Sequence, residues 1–316
     1  MHGFPFWPAT ASAYARQIDF LFGSLLVIAG LTIAFVFFLL LFFANKYRHG
    51  SKADRHEPTK KTWRWEVGWT AATLVIFVGL AMWGGNLYVH LYNPPPSAVQ
   101  IFIVGKQWMW KAQHPGGQRE INELHVPAGQ DIRLVMASQD VIHSFFIPAL
   151  RIKQDVVPGR YETMWFRADK VGRYHLFCAE YCGTDHAHMG GWITVMEPRD
   201  FAEWLKAQGG QQTLAAQGEQ LFHRYGCSGC HEPGGTVRAP NLNGVFGSPV
   251  PLSDGRVVVA DERYVRDSIL NPKAEVAAGY APVMPTFAGQ IGEDDLARLV
   301  AYIESIGPQP GGGGAH

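Results

Sequence analysis

Cys178, Cys182, His186 and Met189 put two thiols, an imidazole and a thioether within twelve residues. A further imidazole, His143, follows Asp140-Val141-Ile142 upstream. Soft thiolate and thioether donors with imidazole select copper or zinc over magnesium or calcium. A Cys178–Cys182 disulfide is one alternative in an oxidising compartment, and a closed zinc site is another. A mononuclear blue copper wants one Cys, two His and a weak Met. The second Cys therefore favours two metal ions bridged by two thiolates, with copper ahead of the disulfide.

A second constellation lies at Cys227-Ser228-Gly229-Cys230-His231. C-x-x-C-H is the attachment pattern of a c-type haem: the thiols bond to the haem vinyls and the histidine binds iron. A thioredoxin-like pair would need a strand before it, yet a helical stretch, 214–224, precedes it here. A disulfide is the remaining alternative. An electron-transferring haem needs a sixth ligand, and Met284 is the one methionine after His231. His223 lies one turn before Cys227 and His316 sits in a glycine tail. Met/His ligation raises the potential of the iron. The four cysteines are then divided two and two, with none left for a structural disulfide.

These donors need rigid supports. From residue 94 to about 197 the pattern is short and strand-like, with runs at Val99–Val104, Ile132–Met136, Tyr161–Phe166, Tyr174–Phe177 and Trp192–Met196. Turn residues at Pro115-Gly116-Gly117, Pro127-Ala128-Gly129 and Pro158-Gly159 separate them, which predicts a β-sandwich. A short helix, Asp200 to Ala207, closes it. The haem segment reads as helical, with helices near Leu214–Arg224, Asp261–Leu270 and Glu293–Ile306.

The whole chain has 316 residues, 47% hydrophobic and 17% charged, which excludes a disordered protein. Its net charge of zero argues against nucleic-acid binding. Two uncharged runs, Phe20–Asn45 and Val67–Asn93, are long enough to cross a bilayer of roughly 30 Å. The loop between them carries Lys46, Arg48, Lys52, Arg55, Lys60, Lys61 and Arg64 against Asp54 and Glu57. The positive-inside rule places that loop in the cytoplasm and both termini outside, on the periplasmic face of a bacterial inner membrane. Glu66, at the cytoplasmic start of the second run, is either a functional acid or a helix-start carboxylate favoured by the dipole. From Thr213 onward there are 7 Lys+Arg against 11 Asp+Glu, an acidic balance that would steer a basic electron donor or simply solvate the surface.

The stretch from the first apolar run to about Leu205 resembles subunit 2 of the heme–copper cytochrome c oxidases. The family signature C-x-E-x-C-x-x-x-H-x-x-M matches Cys178, Glu180, Cys182, His186 and Met189, and the upstream D-V-x-H-S-F matches Asp140 to Phe145. The resemblance implies a two-helix membrane hairpin followed by a cupredoxin domain holding the dinuclear copper centre, CuA. It implies Cys178 and Cys182 as bridging ligands, His143 and His186 as terminal ligands, and Met189 and the Glu180 carbonyl as weak axial ones. The Glu180 carboxylate would reach a magnesium ion shared with subunit 1. Gln107-Trp108-Met109-Trp110 resembles the family's aromatic stretch, in which the first Trp lies between donor and copper, so Trp108 takes that place; Trp110 reads equally as core. An acid at the position of Glu66 marks a proton path into subunit 1. His188 falls outside the pattern and reads as a surface or supporting residue. Residues 213–307 resemble the all-α class I cytochromes c, and Pro240 takes the place of the proline whose carbonyl receives the proximal imidazole proton.

The expected organisation is residues 1–93 with the two spans, a cupredoxin domain at 94–207, a linker at 208–212, a cytochrome c domain at 213–307 and a disordered tail at 308–316. The implied function is an oxidase subunit 2 with its own tethered cytochrome c. It would take electrons from cytochrome c or a bc-type complex and pass them to subunit 1, with subunit 3 as a further partner. Dioxygen reduction and proton pumping would take place in subunit 1. A CuA-bearing subunit of a nitric oxide reductase and a membrane-anchored copper-binding protein are the alternatives. The haem motif and Met284 count against the second, because copper delivery needs no haem.

Overall fold

The computed structural model describes residues 7–55, 62–208, 212–232 and 238–308. The centre of the expected linker and nearly all of the expected tail lie outside the described residues.

Residues 13–93 form one unit, a pair of helices. Helix α1 runs Ala13–Lys46 and α2 runs Trp63–Leu91. Both are longer than their apolar cores, because neither proline nor a charge cluster interrupts the flanking turns. They run antiparallel: Tyr14 stacks with His90 at 6.3 Å and Phe20 meets Trp83 at 5.4 Å. Nearly all their large apolar side chains are exposed, as lipid-facing surfaces require. At the start of α2, Thr62 Oγ1 donates to Glu66 Oε1 at 2.5 Å.

The second unit comprises the described residues of 7–12 and 94–308. Its first part is a sandwich of two five-stranded sheets. The strands are β1 Val99–Lys106, β2 Met109–Gln113, β3 Arg119–Ile121, β4 Glu123–Pro127, β5 Asp131–Ser138, β6 His143–Ile147, β7 Ile152–Val156, β8 Glu162–Arg167, β9 Gly172–Cys178 and β10 Gly190–Met196. One sheet has the order β3-β2-β1-β5-β8 and the other β4-β10-β9-β6-β7. Parallel pairings of β1 with β5 and of β4 with β10 make the topology Greek-key-like rather than a meander. Alternation supplies the core: Ile101, Ile103, Leu124, Ile132, Leu134, Phe145, Leu176 and Ile193 are all buried between the sheets. The N-terminal segment packs here too. Ala11 N–H donates to the Ala149 carbonyl, and the Asp169 N–H donates to the Ala11 carbonyl.

Helix α3, Pro198–Ala207, closes the sandwich. The C-terminal segment follows with α4 Leu214–Arg224, α5 Ser228–His231, a small β11–β12 hairpin at Pro249–Pro251 and Val257–Val259, α6 Glu262–Leu270 and α7 Glu293–Ser305. Thr213 caps α4 by accepting from the Ala216 N–H, and Asp261 caps α6 by accepting from Tyr264. Helix α4 buries Leu214, Gly218, Leu221 and Phe222, and α7 buries Leu296, Leu299, Val300 and Ile303. These are single helical faces, and they pack on each other. Gly218 makes the crossing close: a Cβ there would lie 2.0 Å from the Arg298 carbonyl oxygen.

Candidate metal and haem centres

The copper-type cluster lies at one end of the sandwich. His143 opens β6, Cys178 ends β9, and a loop with a one-turn helix at His186–His188 carries the rest before β10. The strand pairing Phe145↔Cys178 ties the two ligand segments together. Ligand atoms of His143, Cys178 and Cys182 lie within 4.8 Å of one another, and all three residues are buried. The sulfurs of Cys178 and Cys182 are 3.8 Å apart and unbonded. His143 Nδ1 is 4.0 Å from Cys178 Sγ, and His186 Nδ1 is 3.5 Å from Cys182 Sγ. Met189 Sδ stands 3.6 Å from Cys182 Sγ, and the Glu180 carbonyl 3.3 Å from Cys178 Sγ. The six positions read from the sequence therefore converge on one buried spot, and two thiols at this separation suit bridging metal ions better than a disulfide of about 2 Å.

The thiols are not alike. Burial pushes Cys178 up, but hydrogen bonds from His143, Ser144 and the neighbouring backbone outweigh it and lower its pKa. Cys182 is raised by burial and by the charge on Cys178. Bound metal would require both as thiolates.

Several supporting residues escaped the sequence reading. Asp140 Oδ1 lies 2.8 Å from His143 Nε2, while Oδ2 accepts from the Gln107 N–H at 2.7 Å. Such a carboxylate fixes an imidazole's tautomer and orientation. Asp140 was visible only as part of a motif. Gln107 Nε2 and Trp108 Nε1 both donate to the Cys182 carbonyl, at 2.7 and 3.2 Å. Trp108 is half-buried on the ligand loop, whereas Trp110 is fully buried and meets the His143 ring edge-on at 5.8 Å. Gly183, at φ +120°, leaves space that Trp108 fills, since a Cβ there would sit 3.2 Å from its ring. Glu180 is exposed, and His188 is exposed and bonded to Asp185.

The second site is a cavity of about 340 Å³, lined largely by apolar groups. Cys227, Cys230, His231, Pro240 and Met284 all line it. The two thiols are unpaired. His231 Nδ1 lies 2.9 Å from the Pro240 carbonyl oxygen, which leaves Nε2 free to face the cavity. An apolar cavity lined by two thiols, an imidazole and a thioether fits a covalently held haem. Tyr264 and Val265 of α6 and Leu299 and Ile303 of α7 form much of its back.

A buried polar cluster lies near α3. Glu120 bridges His114 Nε2 at 2.7 Å and His125 Nδ1 at 2.5 Å, and Trp204 stacks on His125 at 4.5 Å. Burial raises the Glu120 pKa, yet the hydrogen bonds from both rings and from the His125 N–H bring it down to about 2.

Comparison with known proteins follows the same division. Residues 115–196 match the family described as cytochrome c oxidase subunit II, periplasmic domain, and residues 215–307 match cytochrome c. Cytochrome c oxidase subunit 2 of Alkalihalophilus pseudofirmus is 30% identical over 258 residues, spanning 76% of this chain and 72% of that one. The Cereibacter sphaeroides subunit 2 is 28% identical, over 66% of this chain and 81% of its own. Among solved structures, the periplasmic domain of subunit II of cytochrome oxidase from Bradyrhizobium japonicum is 34% identical, with a TM-score of 0.36, over 37% of this chain and 96% of that one. The chain belongs to the cytochrome c oxidase subunit 2 family, oxidoreductase subunits of heme–copper terminal oxidases, and carries a cytochrome c domain behind the periplasmic domain of that family.

Proposed function

We propose that this subunit carries electrons, one at a time, from an external donor through a covalent haem c to a dinuclear CuA centre and on to haem a of subunit 1. The observation that carries this reading is the convergence of buried His143, Cys178 and Cys182 on one point. His143, Cys178, Cys182, His186, Met189 and the Glu180 carbonyl would hold the two coppers, with the thiolates and imidazoles as the main ligands and the thioether and carbonyl as weak ones. Cys227 and Cys230 would hold the haem covalently, with His231 and Met284 as ligands to its iron and the Pro240 carbonyl orienting the His231 ring. Such a copper pair would supply a one-electron site of low reorganisation cost, which suits fast transfer.

The chain's own residues do the positioning. Asp140 locks the His143 ring. The sandwich strands hold both ligand segments rigidly, so little reorganises when charge arrives. Trp108, which donates to the Cys182 carbonyl, is the proposed electron-transfer residue beside the cluster. The exposed Glu180 carboxylate is available to a magnesium ion shared with subunit 1. Glu66 stands at the start of α2 as the proposed mouth of a proton path into subunit 1.

The location proposed is the bacterial inner membrane, with both metal domains periplasmic. Its support is that residues 7–12 pack on the sandwich, so the chain leaves and re-enters the same side through a two-helix hairpin. The basic loop between α1 and α2 would then face the cytoplasm. Subunits 1 and 3 are the proposed membrane partners, with a cytochrome c or a bc-type complex as donor.

The second reading, a nitric oxide reductase subunit, shares all of this outer chemistry. Affinity purification of the tagged chain from its native membrane separates the two. Co-purification with a subunit 1 that consumes dioxygen when an external donor is reduced supports the oxidase. Consumption of nitric oxide but not dioxygen would contradict it.

A further inference from the structure

The two metal domains meet along the outer face of the sheet formed by β2, β1 and β5. Lys111 Nζ of β2 pairs with Asp294 Oδ2 of α7 at 2.9 Å, and Gln113 Nε2 donates to the other oxygen of Asp294 at 3.2 Å. Arg133 of β5 forms a two-pronged pair with Glu262 of α6, at 2.7 and 3.1 Å. Gln100 of β1 lies within 3.2 Å of both Arg133 and Glu304, at the far end of α7. Arg266 is 2% exposed, donates to the Gly159 carbonyl and to Glu293 at 2.6 Å each, and lies over the Tyr161 ring at 5.3 Å. Phe102 and Val135 of the sandwich are members of the haem domain's apolar core.

The pairings fix a direction. Lys111 is registered with Val104 on β1, whereas Gln100 lies four residues earlier on that strand. Helix α7 therefore runs along β1 with its N-terminal turn, Glu293-Asp294-Asp295, towards Gly105. That is the copper end: a Cβ on Gly105 would lie 3.0 Å from both the His143 and Trp110 rings. On the other side of the same turn, the Tyr225 hydroxyl donates to Asp295 at 3.1 Å, and Tyr225 lines the haem cavity. An unbroken line of bonded or touching residues thus joins the two sites: Tyr225, Asp295, Asp294, Lys111, Trp110, His143.

We infer that Lys111 and Asp294 are positioning residues, a latch that seats the cytochrome domain with the Tyr225 side of its cavity at the copper end of the sandwich. Lys111 and Trp110 then form the junction between the two domains, a place separate from Trp108. Opposite charges at the rim set orientation more than affinity, which is the role required here. The buried Arg266 and the apolar contacts supply the bulk of the seat. This also gives part of the domain's acidic surplus a task, because Glu262, Glu293, Asp294 and Glu304 all face the sandwich rather than an outside donor. The electron-relay part of the inference rests on the proposed function; the latch itself does not.

The test uses the full chain in its membrane complex with K111E, D294K and the double reversal K111E/D294K. Carbodiimide should join Lys111 to Asp294 in the wild-type protein, whatever metals are bound, and mass spectrometry reads the joined peptides. Absence of that link in folded protein overturns the latch. After rapid photoreduction of the haem, passage of one electron from ferrous haem to the oxidised copper centre should slow about tenfold in each single variant, as displacement of a positioned partner does. Reduction of the haem by a small reductant, and the haem spectrum, should not change. The double reversal should recover most of the wild-type rate. Single variants as fast as wild type, or a double variant as slow as the singles, contradict the inference. A carbodiimide link in a chain that shows no dinuclear copper signal would keep the latch and remove the relay reading instead.

Discussion

His143 has neighbours that decide which way its ring points. Asp140 accepts a hydrogen bond from Nε2, Trp110 closes the ring's edge, and the backbone of Gly105 presses on it, so Nδ1 is left to face the sulfurs. Replacing Asp140 with Asn keeps the size but loses the charge and allows the amide to present a donor to Nε2. Asp140→Asn should lower copper occupancy or shift the copper spectrum, with affinity down by about 10–100-fold, as loss of such outer partners does. Titration of the metal-free protein with copper checks this. Glu120 makes a different prediction. Its carboxyl has an ordinary value of 4.5 when unfolded and about 2 when folded. A depressed acid stabilises the fold above the unfolded value and loses that contribution as pH falls through the folded one. The gain is about 3 kcal/mol, fully present above about pH 5 and gone below about pH 2. Glu120→Gln should therefore lower the melting temperature at pH 7 and flatten the loss of stability between pH 5 and 2. An unchanged acid-unfolding curve would contradict this role.

The candidate ligand residues were legible because their types are rare and their spacing is short. Their supports were not. Asp140, Gln107 and the Glu120 cluster use ordinary polar residues whose partners are distant in sequence, such as Gln107 and Cys182. Nothing local marks such pairs before the chain is folded.

At the scale of elements, the apolar runs predicted β1, β5, β8, β9 and β10 within a residue or two at most ends. The strands β3 and β4 were missed because Arg119, Glu120, Glu123 and His125 break the apolar alternation. They are strands because the sheet satisfies their backbone and because the Glu120 carboxylate is paired inside it. The segment of β6 was read as ligand context rather than as a strand, and it forms one. The helices α4, α6 and α7 were legible to within a residue of their ends. The buried outer face of α6, with Glu262 and Arg266, was not, since charged residues at that spacing look solvated until the sandwich covers them. The α4–α7 crossing yields a direct prediction. Gly218→Val would drive methyl groups into the Arg298 carbonyl, which a Cβ alone would already approach to 2.0 Å. Overpacking of this kind costs about 2–3 kcal/mol. Thermal unfolding followed at the haem band should show the loss, while the copper signal survives, because the sandwich has its own core.

At the scale of the whole molecule, three parts serve the proposed relay. The helical hairpin holds the chain at the membrane, the sandwich offers a rigid end for soft metal ligands, and the cytochrome domain is seated on the sandwich instead of hanging from a free tether. Tethering raises the local concentration of a donor domain, and a seat goes further by fixing its orientation. Ion pairs at the rim of that seat, such as Lys111 with Asp294, are screened within about 3 Å in 1 M salt, against about 8 Å at physiological ionic strength. Transfer between the domains should therefore slow as salt rises, whereas the melting of the sandwich should not respond. Stopped-flow or flash reduction over a salt series checks the first part and calorimetry the second. A rate indifferent to salt would place the orientation in the apolar contacts and in Arg266 alone.

The relay itself is tested most directly by one preparation: the purified full-length chain, metallated, with copper and iron counted and its electron paramagnetic resonance spectrum recorded. The account predicts two coppers and one iron per chain, one unpaired electron shared equally by both coppers, and a low-spin haem that stays attached on denaturation. A signal from a single copper, or no copper in a folded chain that retains its haem, would contradict the dinuclear centre and leave Cys178 and Cys182 with another task.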